Sequence, residues 1–172
     1  HLIDQAIVLF GLPSAVTADC GIQRTDGQGT DYFHVTLSYE DKLRVILRSS
    51  SFVRNKGPKF IVHGSKASFC SYGEDPQEQA LIAGASPYDD SYGQVDPAVF
   101  RGTLYFNEGE VGEHVQAEQG GYHRYYELMA EAIITGREVP VQPSEALQVI
   151  RVIELAERSS REGRTLMLDN TE

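Results

Sequence analysis

The chain has 172 residues, 41% of them hydrophobic and 23% charged, and a formal net charge of −10. That size suits one domain, spanning residues 1–172, which can bury about two-thirds of its unfolded surface without a metal or a disulfide. An acidic chain with scattered Lys and Arg excludes a nucleic-acid partner, because phosphate binding needs clustered cations. No apolar run approaches a membrane span, so a membrane partner is excluded as well. With no targeting segment in view, a cytoplasmic location is expected. Cys20 and Cys70 are far apart and form no C-x-x-C pair, which favours two buried thiols over a structural disulfide.

The chain opens inside a helical pattern: Leu2, Ile3, Ala6, Ile7 and Phe10 recur at helical spacing until Gly11 and Pro13 stop it. A start in mid-element implies an earlier part that is missing. Residues 15–24 read as a strand, and Thr25-Asp26-Gly27-Gln28-Gly29 as a turn. Residues 31–39 alternate, with Phe33, Val35, Leu37 and Tyr39 on one face and Tyr32, His34, Thr36 and Ser38 on the other. Residues 43–51 continue the pattern after a turn at Glu40-Asp41-Lys42. A loop over 53–58 leads to strands at 59–63 and 67–71, then to a short helix at 75–83 with Pro76 near its start. Residues 84–97 are rich in Gly, Pro, Asp and Tyr and read as a loop, followed by a hairpin at 102–106 and 111–117. Two helices close the chain. On the first, Tyr122, Tyr125, Tyr126, Met129, Ala132 and Ile133 line one side, and it ends at Gly136. The second starts at Pro143, with Ser144 as cap and Glu145 at the positive end of the dipole. It buries Leu147, Ile150, Ile153 and Ala156 and ends at Gly163, before a last strand at 165–168. This order predicts an α+β fold: an open, mainly antiparallel β-sheet with helices packed on one face. The uncovered face must be solvated or pair with another sheet, and pairing would make a homo-oligomer, with a dimer expected.

Several chemistries are excluded by pattern. No G-x-G-x-x-G opens a βαβ unit, so a Rossmann cofactor site is missing, and Gly27-Gln28-Gly29 is a hairpin turn. No His/Cys cluster suggests a metal. Ser49-Ser50-Ser51 lacks the glycines of a nucleophile elbow. Among the histidines, His63 and His114 read as structural or exposed, His34 lies on the polar face of its strand, and His123 sits on a solvated helix face. His1 and Asp4 lie about one helical turn apart and can share a side, an arrangement able to hold a hydroxyl and shuttle its proton. The plainer reading of that spacing is a solvated helix face.

Taken in order, His1-Leu2-Ile3-Asp4 followed by Leu9-Phe10-Gly11, the segment Ile61-Val62-His63-Gly64-Ser65-Lys66, Gly121-Tyr122 with Tyr125-Tyr126, and the closing stretch from Pro140 through Ala156 to Gly163 resemble the C-terminal half of the Gfo/Idh/MocA oxidoreductases. That family includes glucose–fructose oxidoreductase and inositol dehydrogenase, and the resemblance covers nearly the whole chain. It implies a substrate-binding and oligomerisation domain whose parent acts on a sugar, polyol or related hydroxy compound. NAD or NADP would be bound mainly by a Rossmann domain upstream, with the family's catalytic Lys and Asp. The fragment by itself would be inactive. By the same resemblance His1 relays the hydroxyl proton, Asp4 orients it or binds substrate, and Tyr122, Arg54 and Lys56 contact substrate. The alternatives are a tag residue for His1, a dipole-favoured surface carboxylate for Asp4, and solvated loop charges for Arg54 and Lys56. Core packing is the expectation for Tyr125 and Tyr126. For the whole chain, the alternatives are a free-standing binding or dimerisation module and a catalytically dead sensor of the same family.

Overall fold

The computed structural model describes residues 1–96 and 101–169. In chain order the elements are α1 (Leu2–Phe10), β1 (Ala15–Gly21), β2 (Tyr32–Ser38), β3 (Arg44–Ser50), β4 (Phe60–His63), β5 (Ser68–Tyr72), α2 (Gln77–Ile82), β6 (Arg101–Tyr105), β7 (Glu113–Val115), α3 (His123–Thr135), α4 (Pro143–Glu162) and β8 (Leu166–Met167). The fold is α+β with open antiparallel sheets. The strands divide between two sheets of four, ordered β3-β2-β1-β8 and β4-β5-β6-β7. Two compact units follow the same division: His1–Arg54 with Val141–Glu172, and Asn55–Pro140. The loop expected over 84–97 is irregular as far as Asp96, and Pro97 lies outside the described residues.

In the first unit the register aligns apolar residues across three strands: Val16 pairs with Leu37, which pairs with Val45, and Ala18 pairs with Val35, which pairs with Leu47. These residues face the core with Val152 and Ala156 of α4 and Ala6 of α1. Ile3 and Ile7 join Ala6 in that core, and this i, i+3, i+4 stripe explains why α1 packs where it does. The Tyr39 hydroxyl donates to the Gly11 carbonyl at 3.2 Å, tying the end of α1 to the end of β2. The opposite face of the sheet has Asp19, His34 and Arg48 in one cross-strand row.

Beyond two-residue β8, the free edge of β1 is covered by a helix. The amides of Ala18 and Cys20 donate to the hydroxyls of Ser159 and Ser160 at 3.0 and 2.9 Å. Side chains of α4 thus satisfy backbone donors that a further strand would otherwise pair.

The buried face of α4 matches the expected one at Ala156 and differs from it elsewhere. Val152, Ala156 and Ser159 are buried, whereas Leu147, Ile150 and Ile153 are exposed. The helix has two apolar stripes, and the narrower one with small residues allows close approach to the sheet. Its start also differs: the cap is Gln142, not Ser144. The Glu145 carboxylate accepts the Gln142 N–H at 2.7 Å, the reciprocal bond of a capping box. Gly136 and Gly163 end α3 and α4 in left-handed conformations, as their positions predict.

In the second unit, antiparallel pairing runs from Phe60 opposite Ser71 to Leu104 opposite Glu113. Of α3 only Ala132 is buried; Tyr125, Tyr126 and Ile133 are exposed, contrary to the core role expected for them. The two tyrosines stack edge to face on each other, with centroids 5.4 Å apart.

Candidate functional site

His1 is the residue that caps α1, and its carbonyl accepts the Gln5 N–H at 2.9 Å. Asp4 follows in the first turn, where a carboxylate is favoured by the helix dipole. Both residues are exposed, and among the described residues neither side chain has a hydrogen-bond or ion-pair partner. The core stripe Ile3-Ala6-Ile7 holds the helix, leaving the imidazole and the carboxylate unspent. Such a pair can accept a hydroxyl proton and pass it on.

The remaining predicted residues divide between the units. Arg54 belongs to the first, and Lys56 and Tyr122 to the second. Arg54 is exposed. The Lys56 ammonium donates to the Glu74 carboxylate at 2.9 Å, and this contact pulls the Glu74 pKa below its ordinary value. Tyr122 immediately precedes α3 and is 46% exposed.

A network around Tyr122 has no counterpart among the sequence expectations. Gln77 is 1% exposed, and its Oε1 accepts the Tyr122 N–H at 2.7 Å. Its Nε2 donates to Asp75 Oδ2 at 2.9 Å, while its backbone N–H donates to Asp75 Oδ1 at 2.9 Å. Gln119 Nε2 donates to the Tyr92 carbonyl at 2.6 Å. The Tyr92 ring lies edge-on to that of His123, with centroids 6.3 Å apart. His123 is therefore not on a solvated face: its Nδ1 is buried, and neither it nor the buried Tyr92 hydroxyl has a hydrogen-bond partner among the described residues. Burial, with smaller effects from Tyr122 and Asp75, raises the Tyr92 pKa. The signal available in the sequence was the string Asp75-Pro76-Gln77 before a short helix and Gly120-Gly121 before a longer one. Polar residues and glycines carry no periodicity, so pattern reading passes over them.

Of the other polar candidates, His63 Nδ1 lies 2.9 Å from Ser68 Oγ across the β4–β5 pair. Cys20 and Cys70 are free thiols, each half-buried, and desolvation raises the pKa of Cys20. Among the described residues no cluster of His, Cys, Asp or Glu could hold a metal ion, and no helix is long and apolar enough to cross a membrane.

Residues 1–168 match the family model described as "Oxidoreductase family, C-terminal alpha/beta domain" of GFO_IDH_MocA. The chain belongs to the Gfo/Idh/MocA oxidoreductase family. It is 45% identical over 172 residues to scyllo-inositol 2-dehydrogenase (NADP(+)) IolW of Bacillus subtilis (strain 168), a match covering 99% of this chain and 48% of that protein. It is 41% identical to the uncharacterized oxidoreductase YdgJ of Escherichia coli (strain K12), covering 98% of this chain and 48% of the other. The structure of yvaA from Bacillus subtilis matches with a TM-score of 0.91 at 44% identity, covering 98% of this chain and 50% of that one. This Gfo/Idh/MocA domain thus spans about half the length of the curated relatives it matches.

NAD(P) does not fit the described residues as a Rossmann ligand. Every strand pair in both sheets is antiparallel, whereas a dinucleotide pyrophosphate rests on a glycine turn between a parallel strand and a helix. The one glycine pair that invites the comparison, Gly27 and Gly29, lies in a turn whose neighbouring amides are already spent. Asp31 accepts the N–H groups of Gln23 and Arg24 at 2.6 and 3.1 Å, and Arg24 Nε at 2.9 Å.

Proposed function

We propose that this domain supplies substrate contacts and the proton relay of an NAD(P)-dependent oxidoreductase that acts on a sugar, polyol or related hydroxy compound. The observation that carries the reading is the placement of His1 and Asp4. They stand free of partners on the first turn of a helix anchored in the core, in a chain that matches the oxidoreductase family from residue 1 to residue 168. His1 takes the proton of the substrate hydroxyl as it is oxidised, and Asp4 orients the imidazole or binds a neighbouring hydroxyl. The nicotinamide cofactor is held by a part of the protein outside this chain. Tyr122 offers an aromatic face and a hydroxyl to the substrate. Arg54 and Lys56 are each candidates for a substrate contact, with Arg54 the stronger claimant, because Lys56 already neutralises Glu74.

The identity to a scyllo-inositol 2-dehydrogenase supports a cyclic polyol as the first probe. In the full-length protein assayed with scyllo-inositol and NADP+, His1→Gln should lower kcat by about 10²- to 10⁴-fold, the usual contribution of general acid–base catalysis. A folded His1→Gln protein with unchanged kcat would remove His1 from the chemistry. Wild-type protein that binds polyols without turning them over would favour a sensor. For assembly, the reading places a homodimer on the helix-free face of the first sheet, where Asp19, His34 and Arg48 line up. A single monomeric species in sedimentation at high concentration would sink that part. The same reading expects action in the cytoplasm, on a small molecule and without nucleic acid or membrane.

A further inference from the structure

We propose that Gln77 is a positioning residue for substrate binding, holding Tyr122 in place through its backbone. This rests on the reading of Tyr122 as a substrate contact. Gln77 is among the largest fully buried side chains, and a buried amide is costly unless its hydrogen bonds are made. Here they are made in a way that leaves only one orientation. Asp75 accepts both the backbone N–H and the side-chain N–H of Gln77, so the amide nitrogen is committed to the carboxylate. The amide oxygen must then face away from Asp75, and it meets the N–H of Tyr122, 45 residues further along the chain. That N–H belongs to the start of α3, where backbone donors lack intrahelical partners and no side chain of the helix supplies a cap.

The segment leading into Tyr122 is shaped to the amide. A Cβ on Gly120 would run into the Gln77 side-chain nitrogen, so a glycine is needed for the chain to pass this close. One residue earlier, Gln119 ties the segment to the Tyr92 carbonyl. The backbone N–H of Tyr122 is therefore held from α2, while the residue as a whole remains about half exposed. A residue that only completed a core would be surrounded by the group it orders. This one fixes a base and leaves the residue partly open, the arrangement that a preorganised binding contact requires.

The test uses the full-length protein with scyllo-inositol varied at saturating NADP+. Gln77→Met keeps the volume of the side chain and removes both of its hydrogen bonds. It should raise KM about tenfold with kcat changed less than twofold. Tyr122→Ala should raise KM similarly, and the double variant should be no worse than either single one, because Gln77 acts through Tyr122. Hydrogen exchange supplies a readout that does not depend on substrate: in Gln77→Met the Tyr122 amide should exchange faster while the centre of α3 keeps its protection. If Gln77→Met does not fold, Gly120→Ala displaces the same amide and should show the same KM rise. If Tyr122→Ala raises KM but neither Gln77→Met nor Gly120→Ala does, or the effects add, the positioning role is overturned and the reading of Tyr122 stands. If Tyr122→Ala leaves KM unchanged, the reading of Tyr122 fails and the proposal falls with it.

Discussion

Leu37, Val16 and Val152 in the first unit are as hidden from solvent as Gln77, Ser71 and Tyr92 in the second, yet the two sets have different chemistry. In the first unit the buried residues are mainly aliphatic, lie in register across β1, β2 and β3, and are covered by α4. In the second, the described buried side chains are Ser71, Gln77, Tyr92 and Ala132, three of which carry a polar atom, and apolar side chains such as Ile61, Val62 and Ile133 are exposed. Apolar burial is non-directional and tolerates small shifts, whereas a buried amide or carboxylate is stabilising only when its partners are in place. The first unit thus reads as a scaffold for α1, and the second as a frame whose geometry depends on a few directed bonds.

The largest effect should come from the scaffold. Leu37 is fully buried, and Leu37→Ala should destabilise by about 2–5 kcal/mol in chemical denaturation, the range for a deleted core leucine. Ile61→Ala in the second unit removes a side chain that is about half exposed and should cost under about 1 kcal/mol. Equal losses at the two positions would abolish the contrast between the units. Ser159→Ala tests the polar exception inside the scaffold. Its hydroxyl accepts from Ala18 N–H and donates to the Arg164 carbonyl at 2.7 Å, so its removal leaves two part-buried backbone groups without that partner and should cost about 1 kcal/mol.

That contrast also explains what could be read from the chain alone. Strands β1 to β3 and helix α1 were legible within a few residues, because one face of each is apolar at a fixed period. Helix α4 was legible as a helix but not in its orientation: Leu147, Ile150 and Ile153 form an apolar stripe as good as the one containing Val152 and Ala156, and only the small residues Ala156 and Ser159 decide which side meets the sheet. His1, Asp4 and Tyr122 could be named from their resemblance to a family, since their positions on helix starts follow from local pattern. Gln77 could not. Its partner is a backbone N–H 45 residues away, and no periodicity marks a bond of that kind.

A pH experiment sharpens the comparison within the first unit. Asp31 takes three donors from Gln23 and Arg24, and these hold its pKa down to about 2, against 3.8 ordinarily. Because the folded value is the lower one, the stabilisation is complete above about pH 4 and is lost as pH falls toward 2. The melting temperature of wild type should exceed that of Asp31→Asn at neutral pH, and the gap should close between pH 4 and 2. A gap that is constant across that range would mean the carboxylate charge is not what holds the turn.

The smallest effect is expected at Lys56, and it bears directly on the second unit's part in binding. Lys56 and Glu74 are both mostly exposed, and ion pairs of this kind contribute about 0–1 kcal/mol, less in salt. Lys56→Ala should therefore leave stability nearly unchanged. Its effect on KM separates two roles for the same ammonium group. If it only neutralises Glu74, KM for scyllo-inositol should stay within twofold of wild type while Arg54→Ala raises it. A KM rise in Lys56→Ala that disappears in the Lys56→Ala/Glu74→Gln pair would mean that the unpaired Glu74 carboxylate, and not the loss of a substrate contact, was responsible. A rise that persists in the pair would place the lysine itself against the substrate, and the surface of the second unit would then take part in binding as directly as Tyr122.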